Sequence, residues 1–106
     1  MENTIKLSMS DASNIHDIVM AKMAIPRHKL HMDVAKKCNS KDDYARAKLF
    51  YEGALETIES CKEGLCNWYP HYNKEDIDEL TDYLVNHRSI NIFKCVGKSI
   101  TDILAK

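Results

Sequence analysis

The repeat of apolar residues between positions 41 and 65 constrains the fold more than any other feature of the sequence. Alternating spacings of three and four residues separate Tyr44, Ala47, Tyr51, Ala54, Ile58, Cys61 and Leu65. This spacing places them on one side of an α-helix and resembles three coiled-coil heptads. Ser40 is a favourable N-cap for such a helix, and Asp42 and Asp43 suit its first turn. The sequence therefore predicts a helix over residues 41–65, about 36 Å long, as the spine of the domain.

This central helix is expected to have a wide apolar side. Phe50 and Leu55 flank the repeat. The side chains predicted to be buried are those of Tyr51, Ala54, Leu55, Ile58 and Leu65. Gly53 lies inside the helix, where glycine costs up to about 1 kcal/mol relative to alanine. We expect a neighbouring helix to pack closely against Gly53.

Further helices are predicted on both sides of the central one. Residues 1–9 are interpreted as a loosely ordered leader, and residues 11–24 form an amphipathic helix. Pro26 should either break that helix or kink it before a second segment over residues 27–37. That segment is expected to turn Leu30 and Val34 inward.

The C-terminal part is predicted to hold two more helices. Asn73 caps the first, which places Ile77, Leu80 and Leu84 on one face. Ser89 opens the second, whose expected inner face consists of Phe93, Val96, Ile100 and either Ile103 or Leu104. With only three Gly and two Pro in 106 residues, the prediction is one all-α domain over residues 1–106, a bundle of four to five helices.

Charge is balanced overall but not along the chain. The net charge of −1 provides no global field for attracting nucleic acid or anionic membranes. Residues 1–50 hold nine Lys and Arg against six Asp and Glu, whereas residues 51–106 hold six against ten. The acidic C-terminal half could meet a basic partner protein, or the basic half of a second copy in a homodimer.

The sequence favours a cytoplasmic protein. Its N-terminus lacks the basic start and apolar core of a secretory signal, and no apolar run reaches the length of a membrane span. In the cytoplasm the four cysteines should be reduced thiols rather than disulfides.

The segment around residues 59–76 suggests a surface for binding another protein. An aromatic loop is followed at once by an acidic helix. Exposed aromatic side chains are typical anchors at protein interfaces, and carboxylates add steering and specificity. The predicted partner-binding residues are Trp68, Tyr69, Tyr72, Glu75, Asp78, Glu79 and Asp82.

Two other kinds of site remain as alternatives. The only local basic cluster could contact the phosphates of a nucleic acid, and consists of Arg27, His28, Lys29, His31 and Lys36. The five His and four Cys residues suggest a second alternative, a helical bundle that binds a metal or a small ligand. Cys61, Cys66 and His71 have the spacing C-x4-C-x4-H, which does not suit a chelating pair, so no metal and no cofactor are expected.

The sequence shows no catalytic motif: it has no glycine-rich phosphate loop, no G-x-S-x-G and no H-E-x-x-H. We therefore predict that the chain is not an enzyme. The preferred hypothesis is a small cytoplasmic interaction protein of inhibitor or regulator type, such as an immunity protein or a phage- or plasmid-encoded modulator. A helical nucleic-acid-binding regulator is the alternative.

Overall fold

The molecule is built on two long antiparallel helices. The computed structural model describes residues 5–68 and 71–105. Four α-helices and one 3-10 turn are present in this part of the chain: α1 Met9–Lys37, α2 Lys41–Asn67, α3 Lys74–Asn86, the turn Ile92–Cys95 and α4 Ile100–Leu104. The prediction of an all-α fold around a long helix near residues 41–65 is confirmed.

Helices α1 and α2 form a hairpin with a tight connection. Asn39 adopts the left-handed conformation there (φ 55°), and the Ser40 hydroxyl accepts a hydrogen bond from the Asp43 amide. Along the hairpin, the His28 ring stacks on Phe50. Lys29 Nζ lies over the Tyr51 ring. In antiparallel helices the residue numbers at the same level have a constant sum, because both helices have the same rise per residue. For α1 and α2 these two pairs give a sum of about 79.

The remaining elements cover only one end of this hairpin. The molecule measures 51 × 28 × 23 Å. All side chains of its main core come from residues 5–25 and 58–104, and none comes from the described residues 26–57. Fully buried side chains at its centre are Leu7, Ile15, Ile18, Ile77, Leu80 and Ile100. The half of the hairpin nearest the turn at residues 38–40 thus consists of two helices without a third layer.

The start of the described chain is packed rather than loose. Leu7 is buried, and its amide donates to the Lys98 carbonyl at 2.9 Å. The Gly97 amide donates in turn to the Leu7 carbonyl at 2.8 Å. Gly97 has φ 90°, a conformation that side chains with a Cβ rarely adopt. The predicted leader is therefore wrong for residues 5–9, and residues 1–4 lie outside the described chain.

The structure excludes one of the two outcomes predicted at Pro26 and contradicts the predicted burial of Leu30 and Val34. Residues 11–24 and 27–37 belong to one continuous helix, so Pro26 does not break it. Leu30 and Val34 are exposed instead of inward, because no element covers this part of α1.

Burial along α2 agrees only in part with the prediction. Ile58 and Leu65 are buried, Tyr51 and Ala54 are half-buried, and Leu55 is exposed. The heptad seam therefore faces α1, but its flank has no partner helix.

The predicted last helix is divided into two short pieces. The Asn91 side chain caps the 3-10 turn, and the Ser99 hydroxyl caps α4. Phe93 and Val96 are exposed, contrary to expectation, whereas Ile100 and Ile103 are buried. The positive φ of Gly97 interrupts the helical path between the two pieces.

Candidate functional site

The predicted aromatic loop contributes one exposed anchor. Trp68 follows the last residue of α2 and is 74% exposed. Tyr69 lies outside the described residues. Tyr72 is only 3% exposed, and its hydroxyl donates a 2.8 Å hydrogen bond to Asp11 Oδ2. Burial and the Asp11 carboxylate raise the pKa of the Tyr72 phenol. The Tyr72 ring is therefore part of the core and cannot anchor a partner.

Two carboxylates of the predicted acidic surface form ion pairs with lysines of the same chain. Lys62 Nζ on α2 lies 2.8 Å from Asp78 Oδ1. Lys22 Nζ on α1 lies 2.9 Å from Asp82 Oδ1 and 2.7 Å from the hydroxyl oxygen of Thr81. These contacts connect α3 to both helices of the hairpin. The two lysine side chains that make them are largely buried.

Glu75 and Glu79 are exposed and form no ion pair with a described residue, whereas Asp82 is exposed but pairs with Lys22. Trp68, Glu75 and Glu79 are therefore the three predicted partner-binding residues whose side chains are exposed and form no ion pair with a described residue. Each of the three is still a candidate for contact with a basic protein.

The basic segment is partly engaged with aromatic rings of α2. His28 stacks on Phe50 with ring centroids 6.0 Å apart. Lys29 Nζ lies 5.9 Å from the centre of the Tyr51 ring, and Lys36 lies similarly over Tyr44. These contacts hold the side chains against the hairpin.

Arg27 and His31 are exposed and make no such ring contact among the described residues. The five basic residues therefore do not form one uniformly free surface for phosphates. This geometry does not favour the nucleic-acid alternative.

The four cysteines differ in burial: Cys61 and Cys66 are both half-buried. Burial is the main cause that raises the pKa of the Cys61 and Cys66 thiols. Cys95 is buried and Cys38 is exposed. Within residues 5–68 and 71–105, no three His, Cys, Asp or Glu side chains come together as metal ligands. The absence of bound metal stays a prediction.

One cavity lies between α1 and the segment after α3. It has a volume of about 390 Å³ and is lined by apolar residues of both elements together with His16 and Arg88. The His16 ring contacts Phe93 at the rim, with centroids 5.2 Å apart. No buried polar group points into this cavity without a partner in the described structure.

A further candidate surface lies on the hairpin itself. A groove of about 490 Å³ runs between α1 and α2 on the side where only these two helices line it. We call it the hairpin groove, and its walls and floor consist of Asp17, Met20, Ala21, Ala24, His28, Leu49, Phe50, Gly53, Ala54 and Thr57. Leu49 is 69% exposed and Phe50 is 58% exposed. Such apolar exposure on a hairpin is typical of a docking surface.

The glycines of α2 lie beside open space. A Cβ atom added at Gly53 or at Gly64 would have no neighbouring atom within 4 Å. The expectation that another helix of this chain packs closely against Gly53 is therefore wrong. Both glycines still lower helix stability, since each costs up to about 1 kcal/mol relative to alanine. Close approach by a second molecule would account for them.

The sequence contained a signal for this surface that the heptad interpretation did not use. Phe50 was recognised as flanking the seam, but Leu49 and Gly53 lie further round the helix. An apolar stripe wider than one helix–helix seam indicates two contacts, and only one of them is made within the chain.

No helix in the described part of the chain is long and apolar enough to cross a membrane. No family model, curated protein or solved structure matches the chain.

Proposed function

We propose that this protein acts by binding other protein molecules, as a small inhibitor or regulator, with the hairpin groove as its docking surface. The exposed apolar groove between α1 and α2 carries the proposal. A cytoplasmic place of action, as expected from the sequence, belongs to the same proposal.

The chemistry of the groove defines the partner that would fit. Met20, Leu49 and Phe50 provide large apolar side chains, while Ala24 and Gly53 leave room between them. An amphipathic helical surface packs into such a groove by placing its apolar side chains over the small residues. The partner should therefore present helices with an apolar face.

The surface formed by Trp68, Glu75 and Glu79 is a second candidate for a contact. Trp68 is more exposed than any other large apolar side chain in the described chain. Tryptophan is enriched among interface hot spots, and the two carboxylates suit a basic partner. This surface lacks the length and the lining of small residues that the groove has.

The proposal can be tested by crosslinking in the cell from which the sequence derives. A photoreactive amino acid is placed at Leu49 in the groove, and in a matched control at Leu30, which is 59% exposed outside it. The protein captured at position 49 is then purified and its affinity measured directly.

We expect Leu49→Glu to weaken that affinity by about 30-fold or more, because a carboxylate would be buried in an apolar contact. Leu30→Glu should leave it unchanged. Equal binding by both variants would contradict the proposal, and a loss with Trp68→Ala alone would move the surface to the end of α2.

A further inference from the structure

We infer that the occupant of the hairpin groove is a second copy of this chain, placed antiparallel by a twofold axis at the level of Thr57. This inference rests on the proposed function and names the partner at the same surface. Face-to-face contact about such an axis places α1 against α1 and α2 against α2, which gives a four-helix bundle.

The spacing of residues on α2 fits this axis. Phe50 and Gly64 lie seven residues before and after Thr57. Because seven residues make nearly two helical turns, the three positions lie on one side of α2. The axis therefore places Phe50 of each copy over Gly64 of the other. Gly64 has open space where a Cβ would stand, so the aromatic ring has room to pack.

The spacing of residues on α1 fits the same axis. Lys22 lies about level with Thr57, midway between the positions that the pairs His28–Phe50 and Lys29–Tyr51 imply. Asp17 and Arg27 lie five residues before and after Lys22. The twofold axis therefore brings Asp17 of one copy to Arg27 of the other.

Charge complementarity supports the antiparallel arrangement. Neither Asp17 nor Arg27 forms an ion pair with a residue that the structure describes. Met20 and Ala24 lie two residues on either side of Lys22, so a large side chain of one copy meets a small one of the other. One symmetry operation thus matches aromatic with glycine, large with small and acidic with basic.

Sedimentation equilibrium of the purified protein tests the inference. From about 1 µM to about 200 µM, a range that covers ordinary homodimer affinities, we expect the mass to rise from 12.2 kDa to twice that value. Leu49→Glu should keep the protein monomeric over this range. Leu30→Glu, at another exposed leucine outside the groove, should associate like the unmodified chain. Circular dichroism checks that both variants keep their helices.

Charge reversal tests the arrangement of the two copies. Asp17→Arg and Arg27→Asp should each weaken association by about tenfold, since every dimer contains the pair twice. The double variant should recover the original affinity to within about threefold. A double variant weaker than either single one would overturn the antiparallel placement.

A mass of 12.2 kDa at every concentration would overturn the second copy as occupant. Capture of a different protein through position 49 would then leave the proposed function standing. Dimers lost with Leu30→Glu but not with Leu49→Glu would overturn both.

Discussion

The Nζ atom of Lys62 on α2 lies 2.8 Å from Oδ1 of Asp78 on α3. The Lys62 side chain is 13% exposed and that of Asp78 is 45% exposed, so the pair is shielded from solvent on the lysine side only. Asp78 therefore helps to hold α3 on the hairpin, although the acidic run around it suggested a surface for a partner. The free apolar surface lies instead on the side of the hairpin that α3 does not cover.

The Lys62–Asp78 pair should add to the free energy of unfolding at neutral pH and lose this contribution in strong alkali. The hydrogen bond to Asp78 is the main cause that raises the pKa of Lys62. A raised pKa in the folded state stabilises the fold below the unfolded value of about 10.4, and this contribution is lost as pH rises through the folded value. The difference in the free energy of unfolding between the unmodified protein and Lys62→Met, measured with denaturant, should therefore be smaller near pH 11 than near pH 8.

A double-mutant cycle with Asp78→Asn measures the pair itself, and we expect a coupling of about 1 kcal/mol at neutral pH. A coupling of zero, or a gap between the two proteins that widens in alkali, would show that the pair is not stabilising.

Thr81 should be needed for its hydroxyl rather than for its size. Its side chain is fully buried, donates to the Ile77 carbonyl at 2.8 Å and accepts from Lys22 Nζ at 2.7 Å. Thr81→Val keeps the volume but leaves the Lys22 ammonium with one acceptor fewer, and should cost about 1–3 kcal/mol in the free energy of unfolding. Thr81→Ser keeps the hydroxyl and should cost less. Equal stability of the Val variant and the unmodified chain would contradict this role.

Burial along α2 predicts different costs for two similar truncations. Ile58 is buried and belongs to the core, whereas Leu55, less than one turn earlier, is 40% exposed. Ile58→Ala should therefore lower the free energy of unfolding by about 2–5 kcal/mol, and Leu55→Ala by less than about 1 kcal/mol. Urea unfolding of the two variants checks this difference, and a larger loss for Leu55→Ala would mean that α3 lies elsewhere.

The cysteines should differ in their rates of alkylation. Cys38 is exposed at the end of α1, whereas Cys95 is buried. Burial raises the pKa of the Cys61 and Cys66 thiols, which lowers their fraction of reactive thiolate. In native protein at pH 7, iodoacetamide followed by mass spectrometry should modify Cys38 first by about tenfold or more. Faster modification of Cys61 or Cys66 would contradict the packing of α2 described above.

The sequence predicted the helices better than their surroundings. The heptad seam of residues 41–65 and the cap at Asn73 are local signals, and α2 and α3 begin next to the predicted caps. Of the two outcomes predicted at Pro26, the break does not occur, because the cost of proline to a helix can be offset when the rest of α1 packs against α2. Periodicity also could not tell which apolar flank has a partner, since α3 has only 13 residues and covers one end of the hairpin.

The partner surface was predicted less well for a related reason. A run of carboxylates in a sequence does not show that Lys22 and Lys62, far away along the chain, reach two of them. The hairpin groove likewise depends on side chains from both long helices, which only the antiparallel pairing brings together.

Hydroxyl-radical footprinting of the purified protein at about 1 µM and about 200 µM tests most directly whether two copies meet at the hairpin groove. If two copies meet there, oxidation of Met20, Leu49 and Phe50 should fall at the higher concentration. Trp68 and Leu30, both exposed outside the groove, should be oxidised equally at both concentrations. Unchanged oxidation in the groove, or protection of Trp68 and Leu30 in its place, would contradict a dimer formed at the hairpin groove.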